Sequence, residues 1–159
     1  MQGGGCGFDP HRLHFFIGEL PRMLETDHVT GLAPRGELER WFATLAGSPG
    51  GLAAVLADVV GLKEINRQSG FAAGDAALRA AAQRFRVAAH GAAILARLGG
   101  DEVVAVFVGP EATSLAHAAV DRMRGDAGLP ALRAAATAAG DREPLGQLID
   151  RLYATVRHS

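Results

Sequence analysis

The 159-residue sequence predicts an α/β sandwich, one mostly antiparallel sheet with helices packed on it. Three observations predict it. Apolar runs of strand length occur at 52–60, 92–98 and 102–109. Stretches with apolar residues three and four apart lie around them, as amphipathic helices require. A Gly99-Gly100 pair joins the second run to the third, as a hairpin turn does. Hydrophobic residues make up 48% of the chain and charged ones 21%, a globular balance rather than a disordered one. The net charge of −1, with no basic block, argues against a nucleic-acid backbone or an anionic membrane surface as partner. Cys6 is the only cysteine, which excludes an internal disulfide and agrees with a reducing cytoplasm. No apolar stretch reaches the ~18 residues of a membrane span.

The opening "MQGGGCGFDP" reads as a flexible Gly-rich leader without the basic and apolar regions of a secretory signal. Residues 9–27 carry Leu13, Phe16, Ile17, Leu20 and Leu24 at helical spacing, with Pro21 expected to kink or split the helix. Residues 1–26 are thus expected to be leader and helix, and 27–159 the domain. "TGLAPRGELERWFATLAG" predicts a loop and then a helix whose buried stripe is Leu38, Trp41, Phe42 and Leu45. The run 52–60 is a continuous apolar stretch of strand length, interrupted near its end by Asp58. A short helix through "LKEINRQSG" follows, and a long Ala-rich helix is expected over 75–89, with Asp75 near its N-terminus. "AAILARL" and "EVVAVFVG" form the hairpin, "EATSLAHAAVDRMRG" a helix and "ALRAAATAAG" a weak strand. "EPLGQLIDRLYATVRHS" predicts a terminal helix with Leu145, Leu148, Leu152 and Val156 on one face and Tyr153 as a packed residue.

The chemistry centres on two acids. A carboxylate inside an apolar strand costs several kcal/mol if buried unpaired. Asp58 lies where the strand ends and a loop can expose it. If the hairpin pairs beside that strand, Asp101 comes within its reach. Two carboxylates at neighbouring strand ends repel unless a cation sits between them. Hard oxygen ligands with room left for phosphate oxygens suit Mg²⁺, or Mn²⁺ in its place. Gly99 and Gly100 let a substrate approach the backbone closely. The bland alternative is an acidic hairpin tip and a solvated strand-end Asp.

Four ordered blocks resemble the GGDEF family, the diguanylate cyclases, over roughly 27–157. "DHVTGLAPRGEL" is similar to the family's D-x-L-T-G-L-x-N-R opening. "ADVVGLKEINRQSGFAAGDAAL" resembles its D-x-D-x-F-K-x-x-N-D-x-x-G-H-x-x-G-D-x-x-L stretch, and "ARLGGDEV" its signature. The resemblance implies a nucleotidyl-cyclase palm and the condensation of two GTP into cyclic di-GMP and pyrophosphate by a dimer. It implies Asp58, Asp101 and the Val59 carbonyl as metal ligands. It implies Asn66 and Asp75 as readers of guanine and Lys63 as a phosphate-neutralising cation. Backbone amides near Gly61 and Leu62 would cradle phosphate oxygens, and Glu102 would help deprotonate or orient the attacking 3′-hydroxyl.

The sequence also departs from the family. Val60 replaces the second Asp of the strand-end motif, and Arg67 and Phe71 replace its Asp and His. Val103 replaces the signature Phe. Val156 stands at the position of a phosphate-binding Lys, and Arg157 one residue later points about 100° away around the helix. The window His90-Gly91-Ala92-Ala93 lacks the Arg-x-x-Asp of the product-inhibition site. Two readings follow. One is a cyclase of low or conditional activity. The other is a degenerate, non-catalytic module that holds GTP or contacts a partner protein.

Overall fold

The computed structural model describes residues 25–45 and 50–158. The leader and all but the last three residues of the helix expected over 9–27 lie outside them. The described elements run β1 (Ala33–Pro34), α1 (Arg35–Leu45), β2 (Leu52–Val59), α2 (Leu62–Ser69) and α3 (Phe71–Ala88). They continue with β3 (Ile94–Gly99), β4 (Glu102–Val108), α4 (Ala112–Gly125), β5 (Leu132–Ala138) and α5 (Leu145–Val156). The strands form one sheet in the order β1-β3-β4-β2-β5, antiparallel throughout except for the short β1, which pairs parallel to β3. No described helix is long and apolar enough to cross a membrane.

β2 has a neighbour on each edge and helices on each face, which is why its sequence is apolar without alternation. Leu52, Ala54 and Leu56 point into a core closed by Leu38, Trp41, Phe42 and Leu45 of α1 and by Leu148, Ile149, Leu152 and Val156 of α5. Ala53, Val55 and Ala57 point the other way, onto Phe85 and Ala82 of α3 and Ala116, Ala119 and Met123 of α4. The alanines of strand and helix let α3 and α4 lie close to the sheet, and Phe85 and Phe107 fill what remains.

Three departures from the sequence reading matter for function. β1, two residues long, was not legible. α3 begins at Phe71 rather than Asp75, because Gly70 at φ 83° turns the chain and helix resumes at the next residue. Asp75 therefore sits in the second turn of α3, not at its N-terminus. Tyr153, expected to be plain packing, reaches across to the hairpin.

Candidate functional site

The row Leu52, Ala54, Leu56 ends in Asp58, which runs past the cover of α1 and α5 and is only half-buried. Asp58 faces Glu102 on β4 and Arg133 on β5 in register. Directly paired residues of a ladder project to the same side. Arg133, Asp58 and Glu102 thus make a charged row across three strands.

Asp101 sits in the two-residue turn between Gly99 and Glu102. The Val59 backbone N–H donates to the Asp101 carbonyl at 2.9 Å, fastening the hairpin tip to the end of β2. The Asp58 and Asp101 carboxyl groups are close enough for their charges to act on each other. Burial, then the charge of Asp101 with a smaller push from Glu102, raises the Asp58 carboxyl above the ordinary carboxylate range, while Arg133 pulls the other way.

The turn is also held from behind. Arg97 donates to both Asp27 oxygens at 3.1 Å and twice to the Gly100 carbonyl, at 3.1 and 2.7 Å. Asp27 in turn accepts from the Thr30 N–H and hydroxyl at 2.8 Å each. Burial alone would raise the Asp27 carboxyl, but the Thr30 bonds and Arg97 outweigh it and hold it low. In front of the turn the space is open: a Cβ built on Gly99 or Gly100 meets nothing within 4 Å. Gly100, at φ 46°, also needs the conformational freedom of glycine.

Glu102 accepts a 2.6 Å hydrogen bond from the Tyr153 hydroxyl. Burial first, then Glu102, pushes the Tyr153 phenol up to about 12, so it remains a donor even in alkali that would ionise an ordinary phenol. Neither Tyr153 nor Arg133 was named as a site residue from the sequence. Tyr153 lies one step off the stripe Leu148, Leu152, Val156, which is the sole local signal that it faces something else. For Arg133 no local signal exists, because a register partner is a non-local fact.

α2 starts directly beyond β2. Gly61, at φ 79°, makes the bend, the Leu62 side chain is buried beside Val59, Leu78 and Ala81, and Ile65 N–H closes the first turn on the Gly61 carbonyl at 3.0 Å. The first amides of that helix have no partner within it, as at any helix start. Lys63 is exposed, and Asn66 follows it three residues on, along the same helix face. The Asn66 amide lies against Gly74 of α3, next to Asp75, and both Asn66 and Asp75 are half-buried.

The sequence-named residues therefore form two groups. Asp58, Val59, Gly99, Gly100, Asp101 and Glu102 gather at the end of the sheet. Lys63, Asn66 and Asp75 gather on the α2–α3 pair, joined to the first group through Gly61 and Leu62. Val156 lies in the α5 core at 6% exposure, and Arg157 is exposed beyond it. None of these residues lines the cleft of about 310 Å³ between α3 and α4 or the one of about 240 Å³ beside Trp41.

The donor set fits a magnesium-type ion. Among the described residues no three His, Cys, Asp or Glu are grouped to hold a metal alone. Two adjoining carboxylates with a strand-end carbonyl leave coordination positions for phosphate oxygens and water, which is how Mg²⁺ is usually held. The mutual repulsion at Asp58 is what such an ion would relieve.

That repulsion has a sign. A carboxyl raised in the fold favours folding when protonated, and this contribution fades as pH rises through its raised value. At neutral pH without metal, ionised Asp58 therefore opposes folding. Asp58→Asn is expected to raise the Tm of the metal-free protein at neutral pH. The gain should shrink on acidification below the ordinary carboxylate range, where the wild-type group is protonated in both states. Thermal melts in chelator across this range check it.

A family model described as diguanylate cyclase, GGDEF domain, matches residues 24–131. An uncharacterized protein of Mycobacterium tuberculosis is 38% identical over 107 residues, which are 66% of this chain and 17% of that relative. The chain thus spans under a fifth of the relative's length. Among solved structures, a sensory box/GGDEF family protein from Caulobacter crescentus has a TM-score of 0.65 at 26% identity, covering 84% of this chain and 96% of its own. The coiled coil and GGDEF domain of DgcB from the same organism, in complex with c-di-GMP, has a TM-score of 0.65 at 20% identity, covering 94% and 87%, a likeness of fold.

Proposed function

Given that the chain belongs to the diguanylate cyclase GGDEF domain family, we propose that it condenses two GTP into cyclic di-GMP and two pyrophosphates. The observation that carries this reading is the meeting of Asp58 and Asp101, from separate strands, beside open backbone. Asp58, Asp101 and the Val59 carbonyl would hold Mg²⁺ or Mn²⁺. When bound, that ion polarises the α-phosphate and lowers the pKa of the attacking hydroxyl.

Everything else falls to the chain's own groups. Asp75 accepts from the guanine N1–H and exocyclic amine, and Asn66 offers a donor and an acceptor to the same base. The free amides at Gly61 and Leu62, with Lys63, take phosphate oxygens. Gly99 and Gly100 leave room for the nucleotide. Glu102, fixed by Tyr153, orients the 3′-hydroxyl. That hydroxyl attacks the α-phosphorus of a second GTP, the bond to pyrophosphate breaks, and the reciprocal attack closes the ring. Each domain presents one GTP on an open face, so two chains must meet face to face. One chain alone offers the hydroxyl no second α-phosphate.

One observation favours a second reading. Val156, where the family places a phosphate-binding Lys, is a core residue here. Loss of that cation weakens the hold on the triphosphate, by about 1.5–3 kcal/mol for one charge-assisted contact. A domain so weakened would bind GTP or a partner protein as a regulatory module.

One assay separates the two. The purified chain is incubated with GTP and Mg²⁺ or Mn²⁺ at several protein concentrations. A cyclase forms cyclic di-GMP at a rate per chain that rises with concentration and then saturates. GTP binding by calorimetry without product would instead support the regulatory module.

A further inference from the structure

We propose that Gly74 is a positioning residue whose missing side chain sets the Asn66 amide toward the guanine base; this rests on the reading of Asn66 and Asp75 given above. A Cβ built on Gly74 would lie 1.7 Å from Asn66 Oδ1, 2.8 Å from Cγ and 3.3 Å from Nδ2. No side chain at 74 can coexist with Asn66 where it now stands.

The backbone does not ask for glycine at this point. Gly74 is an interior residue of α3 and is absent from the positive-φ positions of the chain. A glycine inside a helix is less favourable than an alanine. What it supplies is space. The neighbouring Gly70 is different, since its φ of 83° makes the bend between α2 and α3.

The space matters because nothing else fixes the amide. Among the described residues Asn66 makes no side-chain hydrogen bond. Its carbonyl accepts from Gly70 N–H at 3.0 Å, and the Gly70 carbonyl accepts from Gly74 N–H at 3.2 Å, so the main chain sets how closely α2 meets α3. The amide is thus held by shape, with its donors and acceptor left for a ligand. Asp75, the next residue along α3, is half-buried. A base reader that spends no hydrogen bond on its own scaffold keeps full capacity for the base.

The test is a double-mutant cycle on GTP and ATP affinity, measured by calorimetry with non-hydrolysable analogues, alongside thermal melts. Gly74→Ala is expected to weaken GTP binding roughly tenfold or more, about one lost buried hydrogen bond, and to narrow the preference for GTP over ATP. Asn66→Ala should do the same. In the double variant the alanine at 66 removes the obstructing amide, so the chain folds and binds GTP within about twofold of Asn66→Ala alone.

The inference is overturned if Gly74→Ala binds GTP like wild type. It is equally overturned if the two losses multiply in the double variant. A lower Tm with unchanged GTP preference would make Gly74 a packing residue only, which also overturns it. If Gly74→Ala does not fold, the double variant decides: affinity well below that of Asn66→Ala contradicts the proposal. If Asn66→Ala alone binds GTP like wild type, the guanine reading itself fails and this inference with it.

Discussion

Replacing Asp101 with Asn is expected to lower cyclic di-GMP formation by on the order of 10²–10³-fold or more, with the fold intact. The fold survives because what anchors the turn is main chain. The Asp101 carbonyl accepts from Val59 N–H at 2.9 Å, and Arg97 grips the Gly100 carbonyl. An amide at 101 keeps both. It also removes the repulsion that burdens Asp58. What it cannot supply is the second negative charge, so a divalent cation is held by a single carboxylate while the α-phosphate is being attacked. The loss should fall on kcat more than on GTP affinity, since base and phosphate contacts lie on α2 and α3. Product chromatography across GTP concentrations separates the two.

Asp75→Ala should fail in the opposite way. Two charge-assisted hydrogen bonds to guanine, at about 1.5–3 kcal/mol each, correspond to a loss of GTP affinity of roughly 10²–10⁴-fold. The GTP preference over ATP should largely vanish with it. Asp75 is half-buried in the second turn of α3, and among the described residues it has no hydrogen bond or ion pair to lose. Alanine is also the better helix former there. Tm is therefore expected to hold or rise slightly while calorimetric affinity collapses. A variant that loses affinity and stability together would speak for a structural carboxylate instead.

Much of this was legible because the signals are local. The stripe Leu38, Trp41, Phe42, Leu45 is a helix period, and all four residues are buried in α1. The run at 52–60 reads as a strand because no polar residue interrupts it before Asp58. The hairpin follows from glycine chemistry, but its turn residues are Gly100 and Asp101, one step later than the Gly99-Gly100 pair suggests. β1 escaped notice because a two-residue pairing through Ala33 and Pro34 leaves no period to detect. The start of α3 was misplaced by four residues because Gly74 reads as a helix breaker. In the fold it is an interior residue kept free of a side chain by Asn66.

What the sequence could not supply is register. That Asp58 faces Glu102 on one side and Arg133 on the other depends on which strands pair and by how much they slide. The same holds for Tyr153 on Glu102, 51 residues apart, and for Arg97 on Asp27, 70 apart. The resemblance to GGDEF domains named Asp58 and Asp101 as partners. The fold supplies the arrangement: a central strand that ends in an acid, and a hairpin tip tied to it by one backbone hydrogen bond.

Manganese binding reports directly on whether Asp58 and Asp101 share a cation. Mn²⁺ is titrated by electron paramagnetic resonance in the presence of a non-hydrolysable GTP analogue, into wild type, Asp58→Asn and Asp101→Asn. One saturable class of bound Mn²⁺ per chain is expected in the wild type, strengthened by the nucleotide and severely weakened in both variants. Undiminished Mn²⁺ binding in either variant would contradict a shared cation between these two carboxylates.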